Sequence, residues 1–193
     1  MTINRPLILA SKSPRRSQLL SQAGFKFTIR TKEVEENYPA TLAPENVPAF
    51  LAEKKATACL DFIEDQEIII AADTIVILGD TIYEKPKDYA DAVRILKALS
   101  GSVHQVITGV CLLAREKKTV FSGYANVHFN LLTDAEIAYY IKTFQPYDKA
   151  GAYAIQEWLG LCKIAKIEGT YANIMGLPVD LVYEQLQKYD EKK

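Results

Sequence analysis

Histidine is nearly absent from this chain. His104 and His128 are the only two in 193 residues. No HExxH occurs and neither has an acidic partner at helical spacing, which argues against a zinc site. Cysteine is scarce too: Cys59, Cys111 and Cys162 are far apart, odd in number and without CxxC spacing. They read as buried thiols in a reducing compartment. There is no G-x-S-x-G elbow, and nothing supports a Ser-His-Asp triad. The basic excess of a general nucleic-acid binder is missing, since 23 Lys and Arg face 24 Asp and Glu. The apolar run near the N-terminus is too short for a signal peptide, and no stretch approaches the ~20 apolar residues of a membrane span. These absences predict a cytoplasmic protein with a small-molecule partner, no nucleic acid and no membrane.

What remains is 49% hydrophobic and 24% charged, the composition of one globular domain over 1–193 that buries roughly 70% of its unfolded surface. Leu7–Ala10 predicts a strand and Pro14 to about Ala23 a helix, with Ser13 as N-cap and Gly24 as its stop. "GFKFTIRT" alternates as a strand does, "EVEENYPATLAPEN" is a loop, and Pro48 to about Leu60 has helical spacing. "EIIIAADTIVIL" predicts a strand that turns at Gly79-Asp80 into a second one over Thr81–Glu84. A helix capped by Asp88 runs to Leu99. Two strands joined by "REKK" follow, then a helix opened by the capping box Thr133/Glu136. "QPYDKAGAYAIQEWLG" has no clear period. A strand over Cys162–Ile167 and a helix from about Pro178 to Tyr189 close the chain, with "YDEKK" frayed. Interleaved strands and helices with antiparallel hairpins predict an α/β fold with a mixed sheet.

Four stretches carry chemistry. In "SKSPRR", Lys12, Arg15 and Arg16 crowd a helix start, where the macrodipole by itself prefers anions. The same end offers unpaired N–H groups, the Ser13 hydroxyl and two guanidinium forks, so it is either a phosphate site or a Ser-Pro cap with exposed arginines. Asp73, inside "IIIAADTIVIL", is a poor strand former facing a large desolvation cost. It is either ion-paired for structure, or a metal ligand or general base. In "EKP", Lys85 lies opposite Asp73 if the hairpin closes at Gly79-Asp80; otherwise it is an exposed turn lysine. In "DKAGAYAIQEWLG", Asp148, Lys149, Gly151, Tyr153 and Gln156 combine polar contacts with a backbone able to approach a ligand, while Trp158 anchors the loop. Carboxylates, lysines and arginines suit phosphoryl chemistry assisted by a hard cation, Mg²⁺ or Mn²⁺.

Seven stretches occur in the order found in one family: "SKSPRR", "EKKA", "AADTIV", "EKP", "GSVHQVITGV", "DKAGAYAIQ" and "GTYANIMGLP". From about Leu7 to Leu186 the chain resembles the Maf nucleotide pyrophosphatases, also known as septum formation inhibitors. The resemblance implies a mixed, elongated sheet flanked by helices, like that of the inosine-triphosphate pyrophosphatases, with two lobes around a cleft. It implies hydrolysis of a nucleoside triphosphate to monophosphate and pyrophosphate with a divalent cation. "DKAGAY-x-IQ" is similar to the branch acting on dTTP and UTP. By position, Asp73 is the proton acceptor, Arg15, Thr74 and Gln156 match base-selecting positions, and Lys55 and Lys85 match cleft lysines. Glu36 matches an acid of the loop after the second strand, holding metal together with Asp73. Ser13 and Arg16 complete the expected triphosphate contacts. Lys54 adjoins Lys55, so either could face the site, and Ala154 stands where relatives often carry glycine.

The expected partners are a nucleoside triphosphate and a second copy of the chain in a homodimer. The alternatives are a pyrophosphatase for a modified nucleotide such as methylated GTP, or a nucleotide-binding regulator of cell division without catalysis.

Overall fold

Residues 3–190 are described by the computed structural model. Seven strands form one mixed sheet in the order β2-β1-β3-β5-β6-β7, with β4 paired to β3, and helices connect them. Three strands are long: β3 (Ile68–Leu78), β5 (Val103–Leu113) and β6 (Lys118–Phe129). The chain divides into two compact units, each of which takes part of these strands.

The first unit comprises Met1–Asp73, Thr108–Gly123 and Gly176–Lys193. Here β1 (Leu7–Leu9) pairs in parallel with β2 (Phe27–Ile29) on one side and with the start of β3 on the other. All three β1 residues are buried, which is why this strand reads as a continuous apolar run. Helix α1 (Pro14–Gln22) places Pro14 in its first turn and ends before Gly24, whose φ of +80° reverses the chain. Helix α2 (Val47–Thr57) buries Leu51, Ala52 and Ala56, and stops short of the expected Leu60 in a 3₁₀ turn over Leu60–Phe62. It packs directly on β5: a Cβ at Gly109 would lie 2.2 Å from the Ala49 nitrogen, so only glycine fits there. Ile8, Ala56, Cys59, Ile69, Cys111 and Leu113 form the core. The closing helix α7 (Val179–Asp190) is not frayed at Tyr189, which is buried and donates its hydroxyl to the Leu112 carbonyl at 2.9 Å. The rest of the expected frayed end, 191–193, lies outside the described residues.

The second unit comprises Thr74–Ile107 and Tyr124–Met175. β3 turns at Gly79 into β4 (Thr81–Tyr83), with Val76 opposite Tyr83. Helix α3 (Tyr89–Leu99) is capped by the Asp88 side chain, which accepts from the Asp91 N–H, and α4 (Asp134–Phe144) carries the expected capping box. β7 (Ile164–Glu168) pairs antiparallel with β6. Ile95, Leu96, Leu99, Phe129, Ile137, Tyr140 and Tyr153 fill the core. Two short helices were not expected: α5 (Trp158–Lys163) and α6 (Tyr171–Met175). The first of them corrects the reading of the cysteines. Cys59 and Cys111 are buried, but α5 turns only Leu159 fully inward, and Cys162 is exposed. Among the described residues, no helix is long and apolar enough to cross a membrane.

Candidate active site

The first unit gathers its polar groups beyond the carboxyl ends of the parallel strands β1 and β2 and beside the middle of β3. After β1 the chain bends at Ser11, whose Oγ accepts the Ser13 N–H at 3.2 Å and so shapes the entry to α1. Ser13 is the N-cap residue by backbone geometry, yet its hydroxyl makes no capping bond. Arg16 turns inward. Its Nη1 donates to the Ala72 carbonyl (2.7 Å) and to Ser11 Oγ (3.1 Å), and its Nε donates to the Gly176 carbonyl (2.8 Å). One guanidinium thus ties the start of α1 to the residue preceding Asp73 and to the turn before α7. Burial lowers the Arg16 pKa from its ordinary value, with the nearby Asp73 carboxylate opposing that shift and Arg15 adding to it. Lys12 has no share in this cluster: it is exposed and pairs with Glu33 at 3.1 Å.

Asp73 sits on β3 with only 9% of its surface exposed. The cost of burying it is offset by Lys55 of α2, whose Nζ lies 2.5 Å from Asp73 Oδ1 and 2.7 Å from Glu36 Oε1. Glu36 belongs to the loop after β2. The neighbouring Lys54 points elsewhere and donates to Asn37, so the structure decides for Lys55. Arg16, Glu36, Lys55 and Asp73 are brought together as the sequence predicts. The site also suits a divalent cation. Two carboxylates converge there and their oxygens are hard donors, although no cluster of three or more His, Cys, Asp or Glu occurs among the described residues. That donor set leaves phosphate and water to complete a shell, which is how Mg²⁺ prefers to bind.

The second unit carries Thr74, Lys85 and Gln156. Thr74 is half-buried on β3, and Lys85 is exposed beyond the end of the β3–β4 pairing. The stretch without clear period forms two 3₁₀ turns, Pro146–Asp148 and Ala150–Ala152. Gly151, at φ +70°, donates its N–H to the Glu84 carbonyl at 3.3 Å, which fastens this loop to "EKP". A Cβ at Gly151 would approach Val76 Cγ2 to 2.8 Å. Tyr153 is buried against His104, its hydroxyl 2.8 Å from Nε2, and desolvation lowers the His104 pKa to about 4. Trp158 opens α5 and packs edge-on against Tyr139, as an anchor should. The Gln156 Oε1 atom is buried and has no hydrogen-bond partner among the described groups. Such atoms are rare in folded proteins and point to a ligand or water.

The sequence reading missed Ser11, Tyr140 and Glu157. Tyr140 and Glu157 are 17 residues apart and meet only in the folded chain, so no local spacing marks them. Ser11 carried no signal beyond its place in the motif.

This is an α/β protein whose first unit gathers charged side chains just beyond the parallel strands β1 and β2, the region where open sheets of this kind commonly hold ligands. The Maf-like protein family matches residues 6–189, and the chain belongs to that family. A dTTP/UTP pyrophosphatase of Porphyromonas gingivalis is 45% identical over 188 residues, covering 96% of this chain and 94% of the relative. Those of Bacteroides fragilis and Phocaeicola vulgatus are 44% and 47% identical over 183 residues, each covering 94% of this chain and 95% of the relative. Among solved structures, the Staphylococcus aureus Ham1 protein overlaps 65% of this chain and 72% of its own at 14% identity, with a TM-score of 0.47.

Proposed function

We propose that this chain is a nucleoside triphosphate pyrophosphatase that hydrolyses dTTP and UTP to the monophosphate and pyrophosphate. The reading follows from family membership and the names of its relatives, and the observation that carries it is the Glu36–Lys55–Asp73 cluster. A buried carboxylate steadied by a lysine is the equipment needed to orient a water and take its proton. Asp73 does this as water attacks the α-phosphorus, and pyrophosphate leaves. Arg15, Lys55 and Lys85 neutralise the triphosphate, Ser13 and the N–H groups of α1 donate hydrogen bonds to its oxygens, and Arg16 adds its charge while bracing the backbone beside Asp73. Glu36 and Asp73 would hold the divalent cation, which supplies further neutralisation of the phosphate oxygens.

Thr74 and Gln156 select the base. The unpartnered Oε1 of Gln156 is an acceptor, and uracil and thymine present a donor at N3 where cytosine presents an acceptor. A site built around one such bond rejects the base that cannot make it. The match over residues 6–189 supports reading the chain as one functional domain.

The test is a panel of nucleoside triphosphates with Mg²⁺ or Mn²⁺, methylated ones included. UTP and dTTP should give pyrophosphate, and Asp73→Asn should lower kcat by roughly 10²–10⁴ while the thermal transition persists. Release of single phosphate, or an Asp73→Asn variant of wild-type activity, contradicts the mechanism. A preference for purines contradicts the base assignment.

A further inference from the structure

We propose that Tyr140 is a positioning residue for Gln156, its one hydroxyl holding the chain on both sides of that amide. This rests on the reading of Gln156 as the base contact.

The Tyr140 side chain on α4 is fully buried. Its hydroxyl accepts the Ala154 N–H at 3.0 Å and donates to Glu157 Oε2. Ala154 and Glu157 are the ends of a turn, closed by the Glu157 N–H to the Ala154 carbonyl at 3.2 Å, and Gln156 is the residue just before its end. The turn is therefore tied at its first residue through backbone and at its last through side chain, both to one oxygen atom. Glu157 is held from its other oxygen as well. Oε1 lies 3.3 Å from Lys149 Nζ, which also pairs with Asp148 at 2.8 Å. Lys149 is itself buried. The start and the end of the loop are thus linked by an ion pair. Burial and the neighbouring carboxylate raise the Tyr140 pKa, so its hydroxyl keeps the proton it donates.

Fastening of this kind has a consequence for Gln156. A glutamine on a loose turn would swing until its amide oxygen met a protein donor or water. Here the oxygen is buried and unpartnered, a state that costs free energy and persists only where the backbone prevents relaxation. Tyr140 and Glu157 supply that restraint, and the amide is kept in the orientation that a donor on the base requires.

A double-mutant cycle on the full chain, reading kcat/KM for UTP and CTP, tests the proposal. Gln156→Ala should collapse the UTP preference. Tyr140→Phe keeps the ring and removes the oxygen; it should raise KM for UTP about tenfold and narrow the UTP:CTP ratio to match, with kcat changed less. In the Gln156→Ala background, Tyr140→Phe should leave the ratio unaltered while lowering thermal stability as it does alone. Glu157→Ala should also narrow the ratio, and Glu157→Gln, which still accepts from the hydroxyl, should restore it. These two variants leave Tyr140 itself unchanged, so the test survives a Tyr140→Phe protein that does not fold. A Tyr140→Phe or Glu157→Ala protein with the wild-type ratio overturns the proposal, as does an effect on the ratio that persists without Gln156. If Gln156→Ala itself keeps the wild-type ratio, the base-contact reading fails first, and the positioning role goes with it.

Discussion

Replacing Arg16 by methionine separates the two jobs that a cation at the start of α1 can have. If it only met substrate phosphate, its loss would weaken binding and leave the fold alone. The structure gives it three donated bonds, to the Ala72 and Gly176 carbonyls and to Ser11 Oγ. In Arg16→Met the hydroxyl can turn to another partner, but two buried carbonyls lose this donor, at about 1–3 kcal/mol each. A total near 2–5 kcal/mol shifts the midpoint of a chain of this size by roughly 5–15 °C. Arg16→Lys retains the charge but has a single ammonium in place of the planar fork, so it should recover only part of that loss. The assay is thermal denaturation of the three proteins without nucleotide, followed by kcat. Because Ala72 precedes Asp73 on β3, kcat should fall in both variants. An Arg16→Met protein melting within about 2 °C of wild type refutes the bracing role.

The remaining predictions concern single groups. Lys55→Met should lower kcat/KM by about 10²–10³, the loss expected when a cation at a developing charge is removed, whereas Lys54→Met should stay within a few-fold; equal effects would reverse the choice between them. Burial holds the Cys111 thiol up at about 12 and raises that of Cys59, so at pH 8 a thiol reagent should react rapidly with exposed Cys162 alone and with the other two only on unfolding. His104 has a folded pKa of about 4 against 6.5 for the ordinary group. The unfolded chain therefore binds its proton first, and stability that is complete above about pH 6.5 is lost as pH falls towards 4. The share of His104 is about 3 kcal/mol, and His104→Phe should flatten the dependence of the melting temperature on pH across that window. An unchanged slope would show that His104 does not titrate as its burial implies.

How far the sequence could reach depends on the range of each interaction. The capping box at Thr133/Glu136 and the Asp88 cap are local, and the structure has both as predicted. The five-residue α6 spans a single turn between Gly169 and Gly176, too short for any period to be visible. The choice between Lys54 and Lys55 depends on how α2 is rotated. That rotation is set where α2 lies on Gly109, far from it in sequence. Arg16 reads as a phosphate ligand because two of its three acceptors, the Ala72 and Gly176 carbonyls, lie far from it in sequence, the second near the opposite end of the chain. The exposure of Cys162 likewise follows from α5, a helix whose formation the period did not announce.

Asp73 shows why chemistry was easier to locate than geometry. A carboxylate in a run of isoleucines and alanines must have a partner, and that much follows from desolvation alone. The sequence left open whether the partner is structural or functional, but the two readings are not exclusive. Lys55 pairs with Asp73 and also with Glu36, so one ammonium serves two acids and its charge is already offset within the protein. In the proposed mechanism Lys55 therefore shares the neutralisation of an incoming polyphosphate with Lys85, the arginines of α1 and the divalent cation. That division accounts for the crowding of positive charge at a helix start which, judged alone, would be better off without it.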